Sequence, residues 1–199
     1  MNQSGFDYEF LCQYHIINAY SKSAVKGLKS MGLRAFTLLA IEPGKIDEVE
    51  AKLGDAKLLI DKYACTGLYD IILDIGVDNM KELSEYLDGK LASIDGIKRS
   101  NTFIAFTDSR PTDPPKKNIR AFVFVETGIK AHSVLEQIKP EMDRDAGIRD
   151  VQAITGEYDL IVDIELDDIN DVERLITTII HKIPGIIRTH TIFAFPTVD

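Results

Sequence analysis

The chain has 199 residues, 45% hydrophobic and 28% charged, a composition that suits a folded globular protein of one domain or two small ones. A net charge of −9 with a pI near 5.0 excludes the broad basic face through which proteins hold nucleic acid by its phosphates. No apolar run is long enough to span a bilayer, no charged-then-apolar leader opens the sequence, and Cys12 and Cys65 are too few for a disulfide framework, so no membrane contact and a reducing cytoplasm are expected.

In chain order, residues 1–9 are polar, 10–17 are rich in strand formers, and 23–31 read as a short helical turn stopped by Gly32. Residues 34–41 predict a strand that is apolar on both faces; Pro43-Gly44 breaks it, and Ile46, Val49 and Leu53 then recur at helical spacing. A strand near 58–66 leads into a two-residue turn at Gly67-Leu68, with the glycine at positive φ. Ile71, Leu73, Ile75 and Val77 alternate along one face of the next strand, with Asp70, Ile72 and Asp74 on the other. Asp78 or Asn79 caps a helix expected to bury Met80, Leu83, Leu87 and Leu91, and after Gly96 residues 97–106 form a last strand. This β-α-β-β-α-β order is the ferredoxin-like unit.

Residues 107–118, with Pro111, Pro114 and Pro115, read as an exposed linker. The same order of elements then returns. A strand at 119–126 precedes a helix burying Val134, Leu135, Ile138 and Met142, and strands follow near 148–155 and 158–166. A second helix buries Val172, Leu175, Ile176, Ile179 and Ile180, Pro184-Gly185 stops it, and 186–195 form the final strand.

The recurrence is also written in identities. Aligned without a gap, 66–106 and 155–195 share 15 of 41 residues, where chance gives about two or three, so the chain is a tandem repeat. The shared residues include Gly67/Gly156, Tyr69/Tyr158, Asp70/Asp159, Asp74/Asp163, Arg99/Arg188 and Thr102/Thr191. Helices cover only one face of a ferredoxin-like sheet, yet Phe36, Leu38 and Leu39, Phe122 to Val125, and Ile192 to Phe195 carry apolar side chains at consecutive positions. The second face therefore needs a cover, from the other repeat or from another copy of the chain. Sheet-to-sheet packing and a homo-oligomer are expected.

Thr-Gly-x-Tyr-Asp, followed some 25 residues later by Gly-Ile and Arg-x-x-Thr, occurs in both repeats. With these motifs in register, residues 34–106 and 120–195 resemble the effector domain of the Lrp/AsnC transcription regulators, the RAM domain. The resemblance implies an α+β fold of two ferredoxin-like βαββαβ domains of the dimeric α/β-barrel type, at 34–106 and 119–199. It implies assembly into rings of dimers and a site for an amino acid or similar small metabolite between neighbouring dimers, beside the Gly-x-Tyr-Asp hairpin. Residues 1–33 resemble the strand that links DNA-binding and effector domains in such regulators, and no helix-turn-helix is visible in them. Direct nucleic-acid binding is therefore not expected, and DNA-binding relatives become the expected partners.

The ligand-binding residues so implied are Gly67, Tyr69, Asp70 and Thr102 in the first repeat and Gly156, Tyr158, Asp159 and Thr191 in the second. The glycine N–H groups would receive a carboxylate and the aspartates an α-ammonium. Read from the residues alone, the glycines are turn formers, the tyrosines packing residues, the threonines strand formers, and each Asp bonds backbone or an arginine as readily as a ligand. Arg99 and Arg188 are read as partners of Asp74 and Asp163. His15, His132, His181 and His190 lack metal-ligand spacing, and no nucleophile–base pair or phosphate-binding loop repeats between the halves, so no metal, cofactor or catalytic residue is assigned. The leading reading is a non-enzymatic sensor. An enzyme on a dimeric ferredoxin-like fold, with haem-linked or oxygenase chemistry, and a ligand-free oligomerisation module stand as alternatives.

Overall fold

The computed structural model describes residues 32–54, 57–106, 117–144 and 146–196; the strand and helical turn expected before residue 32 and residues 107–116 of the linker lie outside them. The first repeat runs β1 (Leu33–Ile41), α1 (Ile46–Leu53), β2 (Leu59–Cys65), β3 (Ile71–Val77), α2 (Met80–Ser84) and β4 (Ile97–Ala105). The second runs β5 (Ile119–Glu126), α3 (Ala131–Asp143), β6 (Ile148–Ala153), β7 (Leu160–Leu166), α4 (Ile169–Thr178) and β8 (Arg188–Pro196). Asn79 caps α2 by accepting the Glu82 N–H, and the chain continues beyond it through a wider turn over Glu85–Lys90. Leu83 and Leu91 are buried as expected, whereas Met80, at the first position of the helix and on its outer side, is 53% exposed.

All pairings are antiparallel, and the strands form one sheet in the order β4-β1-β3-β2-β8-β5-β7-β6. Each half keeps the ferredoxin-like order, and β2 joins β8 through Ala64↔Phe195 and Cys65↔Ala194. The two ends of this order also meet. Ala105 bridges Ile154, the Phe106 N–H donates to the Ala153 carbonyl at 2.9 Å, and the Thr155 N–H donates to the Ile104 carbonyl at 2.9 Å. Two seams thus close the sheet into a barrel, each seam joining one repeat to the other.

Alternation along the strands sorts the side chains into two layers. Ala35, Leu39, Ile71, Leu73 and Ile75 face the helices of the first repeat with Val49, Leu53 and Leu83. Phe36, Leu38, Tyr63, Ile72 and Phe103 face inward, where they meet Phe122, Phe124, Ile154, Ile161 and Ile192 of the second repeat. The rings interlock across the repeats, Phe36 with Phe122 at 6.3 Å and Phe103 with Phe124 at 5.1 Å between centroids. The apolar faces left open by the helices are therefore covered within the chain, repeat against repeat.

Charge is buried in the same interior. A bulge before Asp61 in β2, and its counterpart before Asp150 in β6, aims each aspartate inward, directly across from Asp74 and Asp163 respectively. Arg34 grips Asp74 through Nε at 2.9 Å and Nη2 at 2.7 Å and reaches Asp150 of the other repeat at 2.5 Å. Arg120 repeats the pattern, gripping Asp163 at 2.9 and 2.7 Å and reaching Asp61 at 3.1 Å, with Tyr63 Oη also against its Nη1. Burial alone would lower the pKa of the Arg34 guanidinium, but the hydrogen bonds and charges of Asp74 and Asp150 outweigh it and raise the value. Asp74 and Asp163 are thus the partners of Arg34 and Arg120 and not, as the sequence reading has it, of Arg99 and Arg188.

Removing one member of such a cluster strands a buried charge. Arg34→Met is expected to cost about 3–5 kcal/mol in urea denaturation. Lys45→Met, which breaks an ion pair to Asp95 at the exposed surface, is expected to leave the midpoint unchanged within error.

Candidate functional site

The Gly-x-Tyr-Asp hairpins lie at the barrel seams. In each, the residue before the loop pairs with the aspartate after it: the Cys65 N–H donates to the Asp70 carbonyl at 2.8 Å and the Ile154 N–H to the Asp159 carbonyl at 2.9 Å. Four residues therefore separate the closing pair, and the two-residue turn expected from the sequence is replaced by a wider loop that frees the tyrosine to turn inward. Gly67 and Gly156 hold φ of 116° and 119°, as expected of glycine in such a bend. Around Gly67 the space is open, whereas a Cβ on Gly156 would lie 3.1 Å from the Phe103 ring of the other repeat.

Asp70 and Asp159 are anchored alike. Asp70 Oδ2 accepts the Ile41 N–H at 2.7 Å, and Asp159 Oδ2 accepts the Thr127 N–H at 2.6 Å and its hydroxyl at 3.1 Å. Each carboxylate so ties its hairpin to the end of the first strand of its own repeat, and Oδ1 of each carries no hydrogen bond among the described residues. Tyr69 and Tyr158 pack against the inner aromatic cluster. Tyr158 lies 5.5 Å from Phe124 and 6.2 Å from Phe103, with His190 stacked on it at 6.4 Å and a 19° interplanar angle.

The threonines stand apart from these groups. Thr102 pairs in register with Thr37, and their hydroxyls meet at 3.0 Å on the helix-facing side of the sheet; Thr191, opposite Val123, has the same orientation. The structure therefore brings Gly67, Tyr69 and Asp70 together, and likewise Gly156, Tyr158 and Asp159, with Thr102 and Thr191 on the far face. What joins the tyrosines instead is arginine. Arg99 Cζ lies 4.8 Å above the Tyr69 ring and Arg188 Cζ 5.5 Å above that of Tyr158. A signal for both was in the sequence, since Arg99 and Arg188 occupy one position of the repeat.

Burial, with a contribution from Asp70, pushes the Cys65 thiol up to about 12, and its Sγ lies 3.3 Å from the Tyr69 carbonyl. His181 Nε2 is 2.8 Å from the Thr189 hydroxyl. Among the described residues no group of three or more His, Cys, Asp or Glu is placed to hold a metal, and no helix is long and apolar enough to cross a membrane.

Two halves with the same hairpin and the same pairing order match one family model, that of the Lrp/AsnC ligand binding domain, over residues 34–114 and 120–199. The chain belongs to the Lrp/AsnC family. It is 32% identical over 92 residues to the HTH-type transcriptional regulator FL11 of Pyrococcus furiosus, a stretch covering 45% of this chain and 60% of FL11. The chain thus spans less than two thirds of that relative's length. Two solved structures superpose on most of this chain at 9% identity, which speaks for fold alone. A chlorite dismutase variant from Candidatus Nitrospira defluvii superposes with a TM-score of 0.60 over 86% of this chain and 93% of its own. The siroheme decarboxylase NirDL superposes at 0.57 over 92% of this chain and 81% of its own.

Two outcomes follow from the Lrp/AsnC hairpin geometry. Gly67→Ala and Gly156→Ala each impose an unfavourable φ worth about 1–3 kcal/mol, and Gly156→Ala is expected to be the more destabilising because its methyl presses on Phe103. Cys65 is expected to alkylate far more slowly in the folded chain than in urea at about pH 8, read at its own peptide by mass spectrometry. A thiol raised to about 12 has a thiolate fraction on the order of a thousandfold below that of a free cysteine near 8.5. Because the unfolded thiol ionises first, the stability linked to Cys65 is complete below about 8.5 and is lost as pH rises towards about 12.

Proposed function

We propose that this chain is a non-enzymatic effector of the Lrp/AsnC type, which binds an amino acid or closely related metabolite at a Gly-x-Tyr-Asp hairpin and signals through its assembly with itself and with DNA-binding relatives. The observation that carries this reading is the position of the hairpins at the joints between repeats. Tyr158 rests on Phe103 of the first repeat, and Thr155 both donates to the Ile104 carbonyl and accepts the Ile104 N–H at its hydroxyl. A ligand that shifts such a loop shifts how the two halves engage, and a difference in affinity between two arrangements is what a sensor needs.

The local groups suit an α-amino acid. The free Oδ1 atoms of Asp70 and Asp159 can accept an ammonium, and exposed N–H groups at the glycine bends can receive a carboxylate. The regulator relative supports an output in transcription, and the acidity of this chain favours a DNA contact made by a partner. The exposed tip residue Leu68, 70% accessible, suits a contact with another copy. An enzyme reading has the fold of the two solved neighbours behind it. A Soret band in the purified chain would favour it.

Thermal shift and calorimetry with the twenty amino acids and related metabolites test the sensor reading. A ligand at a hundred times its Kd adds about 2.7 kcal/mol, which in a chain of this size raises Tm by roughly 5–10 °C. Asp70→Ala with Asp159→Ala is expected to abolish that shift; an unchanged shift, or none with wild type, overturns the proposal.

A further inference from the structure

The two hairpins differ where the repeat is otherwise faithful. In the second repeat Arg188 stands opposite Glu126 across the β5–β8 pair, and its Nε and Nη2 both reach Glu126 Oε2 at 2.9 Å. In the first repeat the residue opposite Arg99 is Ala40. Arg99 lies over Tyr69 as Arg188 does over Tyr158, but with no carboxylate across the strand its one side-chain hydrogen bond among the described residues is a 3.5 Å contact from Nη2 to the Leu68 carbonyl, at the limit of what counts as a bond. No ion pair engages Arg99 among the described residues, and the side chain is exposed.

The neighbouring charges sharpen the contrast. Beside the first hairpin stand Arg99, the uncharged Leu68 and Ala40, and the carboxylate of Asp70. Around the second, Arg188 pairs with Glu126, and Glu157 stands where the first hairpin has Leu68. The first setting offers one cation and one anion, the complement of a zwitterion. The second offers a cation already paired with Glu126, and a ligand carboxylate arriving there competes with that side chain.

We propose that the first hairpin alone is a carboxylate-binding site, with Arg99 as the residue that receives the anion, and that Glu126 closes the second hairpin to the same ligand by occupying Arg188. This rests on the reading of the hairpins as ligand sites and adds to it a ligand class, a residue and a stoichiometry of one per chain. Arg99 presents a planar fork of donors beside an aromatic face, an arrangement that fits a carboxylate bidentately. Its position over Tyr69 joins the anion to the hairpin that bears Asp70. Ala40 and Glu126 therefore act as specificity determinants, one by leaving the guanidinium available and the other by engaging it.

The test uses the whole chain. Calorimetry with the twenty amino acids is expected to give one site per chain for whichever binds. Arg99→Gln, on the exposed surface, is expected to weaken binding about ten- to a hundredfold, as the loss of a charge-assisted bond does. Glu126→Ala is expected to raise the stoichiometry to two, and Ala40→Glu to abolish the first site, with circular dichroism confirming that each variant is folded. Two sites in wild type, or binding indifferent to Arg99→Gln, overturns the proposal. Should no amino acid bind, the sensor reading falls, and phenylglyoxal modification with peptide mapping decides the present one separately. Faster reaction at Arg99 than at Arg188, slowed by acetate at Arg99 only, supports it; equal rates, or equal or absent protection, overturns it.

Discussion

The interior of this barrel depends on two arginines that each answer to both repeats. Asp61 sits across from Asp74 in register, and Asp150 across from Asp163, so each half on its own holds two like charges face to face, all buried except the partly exposed Asp61. Arg34 grips the aspartate beside it and extends to Asp150, while Arg120 grips Asp163 and extends to Asp61. Neither half balances its own carboxylates. Hydrophobic burial supplies the bulk of the driving force for closing the two sheets together, but it is indifferent to register. The crossed ion pairs are not, because a one-residue slip would turn every one of these groups to the opposite face.

That interlock places the hairpins. Once the inner faces are matched, the loops after β2 and β6 have one position each, beside the last strand of the other repeat. The glycine bends, inward tyrosines and backbone-anchoring aspartates are consequences of this geometry as much as of any ligand. Asp70 and Asp159 each use one oxygen to hold a strand end, so the same side chain serves the fold and leaves an acceptor over. The surroundings of the two hairpins differ at residues on a neighbouring strand, Ala40 and Glu126, which the hairpin motif itself does not contain.

Much of this was legible in the sequence. The duplication, the β-α-β-β-α-β order and the apolar second face were visible in spacing and alternation, because those signals are local or recur at a fixed offset. The partner of that face was not, since covering by the other repeat and by a second copy demand the same side chains. The ion clusters were missed although their trace was present: Arg-Ala-Phe opens the first strand of both repeats at 34–36 and 120–122, and the aspartates recur 89 residues apart. In sequence Arg99 and Arg188 lie nearer to Asp74 and Asp163 than Arg34 and Arg120 do, but β1 and β5 bring Arg34 and Arg120 beside them. The hairpin length was misjudged because a Gly-X pair between apolar runs signals a turn without stating which residues close it. Thr102 and Thr191 fall on the helix side through strand parity, which a motif match does not track.

Closure through β8 also sets the order in which the chain can be completed. Strand β8 pairs with β5 in its own repeat and with β2, some 130 positions earlier, in the other. During synthesis the first repeat emerges with Phe36, Leu38 and Phe103 facing outward until the second repeat, whose β5 carries their partners Phe122 and Phe124, follows. The nascent first half is therefore a stage exposed to aggregation and to chaperone capture, and a truncation that removes only the last strand opens the β2–β8 seam.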